Sequence, residues 1–145
     1  MATQPRKIFV NLPVKNLDRS MTFFKALGFG FNAQFTDETS ASMVISDTIY
    51  ATLVTHGKFK EFSSKPIADA ANTTEVVTCL SAESREEVNQ MADAALKAGG
   101  LKLLEPQDYG FMYLRNFQDP DGHIWEIMWM EPANAKPPET SKGEV

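Results

Sequence analysis

Apolar and polar positions follow the same short programme twice along the chain. From Lys7 to Val14 the residues are mostly apolar and end in Leu12-Pro13-Val14, which predicts an extended strand. Asn16 then stands where a helix N-cap is needed, since its side-chain oxygen can accept a hydrogen bond from an orphan amide of the first turn. Leu17, Met21, Phe24 and Leu27 recur at i, i+4 and i+7, the spacing of one buried helical stripe, while Asp18, Arg19 and Lys25 fall on the wet side. Gly28 is expected to stop this helix. Three strands should follow, at Phe29 to Thr36, Ala41 to Ser46 and Thr48 to Thr55, separated by Asp37-Glu38-Thr39 and by a tight corner at Asp47.

The second half reads in the same order. A strand from Glu75 to Ser81 leads into Ser84-Arg85-Glu86-Glu87, a capping box in which Ser and Glu satisfy free amides reciprocally. Val88, Met91, Ala92, Ala95 and Leu96 form the buried stripe of the helix that begins there, and Gly99-Gly100 ends it. Leu101 to Glu105, Phe111 to Phe117 and His123 to Met130 are expected as strands, the last two joined by a turn at Asp119-Pro120-Asp121-Gly122. Lys25-Ala26-Leu27-Gly28-Phe29 also looks like Lys97-Ala98-Gly99-Gly100-Leu101. The reading is therefore α+β, with two βαβββ modules at about 7–56 and 75–130 and a connector at 57–74, partly helical. Each helix should cover one face of a curved mixed sheet and leave the other face free. Residues 131–145 hold Pro132, Pro137 and Pro138 and almost no large apolar side chain, so a disordered tail is expected there.

Composition narrows the picture. A chain of 145 residues, 43% of them hydrophobic, fits one domain with a real core. Lys and Arg number 14 against 19 Asp and Glu, and the basic residues are scattered, which argues against nucleic acid as a partner. The one cysteine, Cys79, cannot form an internal disulfide, and within Val76-Val77-Thr78-Cys79-Leu80 it reads as a buried structural thiol. No segment reads as a secretion signal or a membrane span, so a cytoplasmic protein that does not engage membranes is expected.

Strand alternation singles out a few side chains. Glu126 sits inside an apolar strand between Ile124 and Met128, where an unpartnered carboxylate would be costly, so it is the leading candidate for ligand contact. Asn11 interrupts Val10-Asn11-Leu12 and is as well explained by a backbone contact. His123 alternates away from Glu126 and reads as a surface hydrogen-bonding group, with Trp125 and Trp129 packing on the helix side. Asp119 and Asp121 read as turn residues.

The segments Phe9-Val10-Asn11-Leu12-Pro13-Val14-Lys15-Asn16-Leu17-Asp18-Arg19-Ser20, Ser84 to Gly100 and Asp119-Pro120-Asp121-Gly122-His123-Ile124-Trp125-Glu126 together resemble the vicinal oxygen chelate superfamily, which includes glyoxalase I, bleomycin-resistance proteins, fosfomycin-resistance transferases and extradiol dioxygenases. The resemblance covers residues 7 to 130. It implies a cup-shaped site and, in metal-using members, four ligands from the outer strands of each module. Those positions fall here on Phe9, Thr52, Val77 and Glu126. Only Glu126 binds a divalent ion well, so a metal cofactor is not favoured, and Glu126 is its sole retained ligand. Asn11, Thr52, His56 and Asn116 are the expected ligand-binding companions, and Phe9, Tyr50, Met43 and Met128 an apolar lining.

Two functions stay open. One is a lyase or isomerase of the lactoylglutathione lyase type, with Glu126 as general base, for which no group to stabilise an enediolate is visible. The other is a metal-independent protein that binds or sequesters a small molecule, like the bleomycin-resistance branch. In either case the resemblance implies a homodimer in which modules of two chains complete each cup.

Overall fold

The computed structural model describes residues 5–135. β1 (Ile8–Val14) is followed by α1 (Leu17–Ala26), β2 (Gly30–Asn32), β3 (Ser40–Val44) and β4 (Ile49–Thr55). A short helical turn, α2 (His56–Phe59), opens the connector. β5 (Val77–Ala82) and α3 (Arg85–Lys97) begin the second module, which continues with β6 (Leu101–Lys102), β7 (Gln107–Asp108), β8 (Met112–Gln118) and β9 (Ile124–Met130). The strands form two mixed sheets, in the order β1-β4-β3-β2 and β5-β9-β8-β6, with β7 also on β8. In each sheet the first strand of the module lies parallel to the last, β1 on β4 and β5 on β9.

The duplication is thus present, with local departures that have physical causes. Asn32 Oδ1 accepts from the Gln34 amide, which turns Ala33–Phe35 into a 3₁₀ turn and ends β2 four residues before Thr36. In the second module the expected strand at Leu101 to Glu105 is only two residues long. Beyond it the chain bends before Pro106, which has no amide to give to a ladder, and the Leu104 amide donates instead to Asn116 Oδ1. The Ser84 hydroxyl accepts from the Glu87 amide as expected, but the Glu87 carboxylate accepts from Glu83 rather than from Ser84. Of the tail, Pro132–Ala135 forms a helical turn, α4, and 136–145 lie outside the described residues. No helix among the described residues is long and apolar enough to cross a membrane.

α1 buries Leu17, Ser20, Phe23, Phe24 and Leu27, with Met21 only partly covered. Its buried face is wider than one stripe because a second surface meets it. Phe24 stands edge-on to Trp125 of β9 at 5.2 Å between ring centroids, and Phe23 lies 6.1 Å from Phe117 of β8. Gly100 makes room for this contact, since a Cβ there would come within 3.0 Å of the Phe23 ring and 2.7 Å of the Gln118 carbonyl oxygen. The two modules therefore share one core, running from Leu12 and Leu53 of the first to Val88, Ala95 and Ile127 of the second.

The turn after β8 clasps the modules together. Asp119 is buried, and its carboxylate accepts from the amides of Asp121 and His123 and from the Trp125 indole N–H. Asp121 reaches into the first module, where it accepts from the Lys15 amide at 2.8 Å and the Ser20 hydroxyl at 3.2 Å, with the Arg19 guanidinium 3.7 Å away. The His123 ring Nε2 stands 2.8 Å from the Pro13 carbonyl oxygen, a bond it makes as the N–H donor. Turn chemistry accounts for the backbone here, and the Asp121 carboxylate adds inter-module bonds that the linear sequence does not reveal.

Candidate functional site

Register decides which side chains reach the face of each sheet that the helices leave open. In the first sheet Leu12 and Val14 point to the core, so Phe9, Asn11 and Pro13 take the opposite face, beside Tyr50, Thr52 and Val54 of β4. In the second sheet Phe117, Trp125 and Ile127 face the core, which puts Asn116 and Gln118, Ile124, Glu126 and Met128, and Val77 and Cys79 on the open face. Trp125 and Trp129 accordingly lie on the helix side, as the alternation predicts.

Glu126 sits at the centre of the second open face. Asn116 is its partner across β8 and Cys79 its partner across β5. Asn116 is buried because the loop after β6 folds over it. Cys79 is exposed rather than buried, a correction that follows from its register opposite Glu126. Partial desolvation of the sulfur by its strand neighbours, and then the charge and hydrogen bond of Glu126, push this thiol's pKa up, so it stays protonated and weakly nucleophilic at neutral pH. Neither neighbour brings a positive charge to Glu126.

On the first open face Asn11 pairs in register with Thr52, and Phe9 stacks on Tyr50 with centroids 4.9 Å apart. Phe9 is 57% exposed and Val77 48% exposed, large apolar surface on both open faces. Met43 is fully buried on the core side of β3 and lines no open face, because its register partner is Ala51 rather than Tyr50. His56 is apart from Glu126. It starts α2 beyond the end of β4, in a pocket with Lys15, Asp69, Asp121 and His123.

A family model described as bleomycin resistance protein-like N-terminal matches residues 6–46, from β1 through β3. No curated protein matches the chain. Among solved structures, the chain is similar to hypothetical protein SA1046 from S. aureus, with 28% identity and a TM-score of 0.73 over 89% of this chain and 95% of that one. It is similar at 18% identity and a TM-score of 0.73 to a glyoxalase-related enzyme from Fulvimarina pelagi, over 88% of each chain. At 12% identity and a TM-score of 0.66 it is similar to the fosfomycin resistance protein FosX from Mesorhizobium loti, over 92% of this chain and 98% of that one. The fold is the one these glyoxalase- and bleomycin-resistance-type structures share.

The superfamily's metal positions can then be tested on the residues present. Phe9 and Val77 offer no lone pair, and Thr52 offers a neutral hydroxyl. The neighbours brought into register with Thr52 are Asn11 and Ser42 and those with Glu126 are Asn116 and Cys79, three neutral groups and a thiol held protonated. Among the described residues no three His, Cys, Asp or Glu side chains are grouped to hold an ion. This donor set does not fit the divalent metal of the superfamily's metal-using members. What remains is a glyoxalase-like fold with one carboxylate on a largely apolar open face. Cys79 is the companion that sequence reasoning missed. Strand alternation from Val77 was the available signal, but the parallel register that sets it against Glu126 was not legible.

Proposed function

We propose that the protein binds a small organic molecule without a metal ion, on the open face centred on Glu126. The observation that carries this is a carboxylate set among Val77, Ile124 and Met128 with no ion-pair partner among the described residues. An unpaired charge on apolar surface is costly unless it meets a complementary one, so the occupant is a small molecule with a cationic centre and an apolar body. The methionines of this face, Met112, Met128 and Met130, suit an adaptable lining. The bleomycin resistance-like family match and the likeness to a fosfomycin resistance protein favour a protein that acts on or sequesters a foreign compound.

The connector covers the open faces only near Asn11, Pro13 and Ile124, and leaves Phe9 and Val77 exposed. We place a second copy of the chain over them in an isologous pair, covering Phe9 and Val77. Sedimentation velocity at micromolar concentration should then show a dimer, and a monomer there would contradict the pairing.

The binding reading is tested by a thermal-shift screen of chelator-treated protein against small aromatic cations and acids. Cations should raise the melting temperature, and the best of them should bind Glu126→Gln at least tenfold more weakly. Equal binding by both proteins would remove Glu126 from the site. The lyase reading rests on the carboxylate at the eighth-strand position and is checked in parallel by hemithioacetal turnover with and without added divalent metal.

A further inference from the structure

We propose that the connector roofs a second binding chamber, next to the Glu126 face but not including Glu126, which takes a small apolar carboxylic acid. The chamber measures about 360 Å³ and lies where the connector crosses the ends of β1 and β9. Its floor is Asn11 and Pro13 of the first module and Ile124 of the second, and its roof includes Phe59, Ile67 and Ala70 of the connector. A dry apolar cavity of roughly 150 Å³ already holds benzene, so this one has room for a ring and a polar group.

The roof is built rather than draped. Asp69 accepts from the Ala71 amide at 3.2 Å and from the Asn72 side-chain amide at 2.6 Å, and the Thr73 hydroxyl donates to the Asp69 carbonyl at 2.8 Å. This turn rests on Gly122, where an added Cβ would lie 2.6 Å from Ala71 Cα. Only glycine permits that approach, at a φ of 92°. The inter-module clasp therefore also seats the connector.

Charge sets the occupant. The adjoining pocket shares Pro13, Ile67, Ala68, Ala70 and His123 with the chamber, and both of its carboxylates are already engaged, Asp69 within its turn and Asp121 in the clasp. His123 is committed to Pro13. Lys65 lines the chamber and its side chain has no ion-pair partner among the described residues, while the charge of Lys15 in the adjoining pocket already acts on Asp69. His56 stands in the same adjoining pocket. Glu75, two residues before β5, is the carboxylate that lines the chamber itself among the described residues. An acid would place its carboxylate on Lys65 and the Asn11 side-chain amide, with its body against Ile67 and Ile124.

The test is an amide NMR titration of the full chain with benzoate, using benzamide and benzylamine as neutral and cationic controls. Benzoate should shift Ile67, Ala70 and Ile124 saturably, with benzamide and benzylamine at least tenfold weaker. Lys65→Met should weaken benzoate about tenfold, Ile67→Trp should fill the chamber and abolish the shifts, and Glu126→Gln should leave the titration unchanged. That last arm separates this proposal from the Glu126 reading, which fails or survives on its own ligand. No saturable shift, an equal response to benzylamine, shifts centred on Cys79 and Glu126, or full affinity in Lys65→Met would each overturn it.

Discussion

Replacing Phe24 with alanine should lower the melting temperature by roughly 10 °C, from a loss of about 3–5 kcal/mol for a fully buried aromatic and about 2–4 °C per kcal/mol at this chain length. The size of the effect comes from where the ring sits. Phe24 packs against Phe23, Phe29 and Trp125, so its removal opens a cavity on both sides of the module boundary. Because the two modules share one core, unfolding should remain a single transition followed alike by near- and far-ultraviolet circular dichroism. Two separated transitions, with the second module melting as in the parent protein, would contradict a shared core.

The second large effect is expected at Asp119. Alanine there leaves the buried Trp125 N–H and the amides of Asp121 and His123 without an acceptor, at a cost of about 3 kcal/mol, since each buried orphan costs roughly 1–3. The clasp on Lys15 and Ser20 should loosen with it, shifting Trp125 fluorescence toward that of an exposed indole. Asp119→Asn should lose less, because its carbonyl oxygen can still accept from both backbone amides. Burial raises the Asp119 pKa, opposed by the charge of His123 and by these hydrogen bonds. A raised carboxyl favours the protonated fold, so its contribution to stability is complete below the unfolded value of about 3.9 and is lost as pH rises through the higher folded value. Asparagine does not titrate. The stability gap between the natural chain and Asp119→Asn should therefore be widest in acid and narrow as pH rises, which chemical denaturation across that range would show.

Much of the fold was legible because local signals agreed with one another. The Asn16 and Ser84 caps, the glycines after each helix and the alternation of β8 and β9 all point to the same duplicated plan. Local competition was harder to read. Asn32 prefers its own turn to a strand, and Pro106 breaks the ladder after β6, so both strands came out shorter than their apolar content suggests. Of the site, parity along β9 sufficed to put Glu126 on one face and both tryptophans on the other, whereas Asn116 was put beside Glu126 by the resemblance and is fixed there by the register of β8 on β9. Pairings between strands distant in sequence were beyond parity. Parity alone does not set Cys79 against Glu126, bury Met43, or carry His56 away to the connector, because each depends on register or on how the chain leaves a strand. The chamber under the connector was invisible for the same reason, since its two walls come from residues far apart along the chain.

A metal-independent site on the Glu126 face should report through Met128, two residues along the same strand face. Chelator-treated protein with ¹³C-labelled methionine methyl groups, titrated with the best cation from the thermal screen, tests it most directly. The Met128 methyl signal should move saturably without added metal, and Glu126→Gln should need at least tenfold more cation for the same movement. A cation that binds while Met128 does not move, or a shift that appears only after a divalent metal is supplied, would contradict the claim.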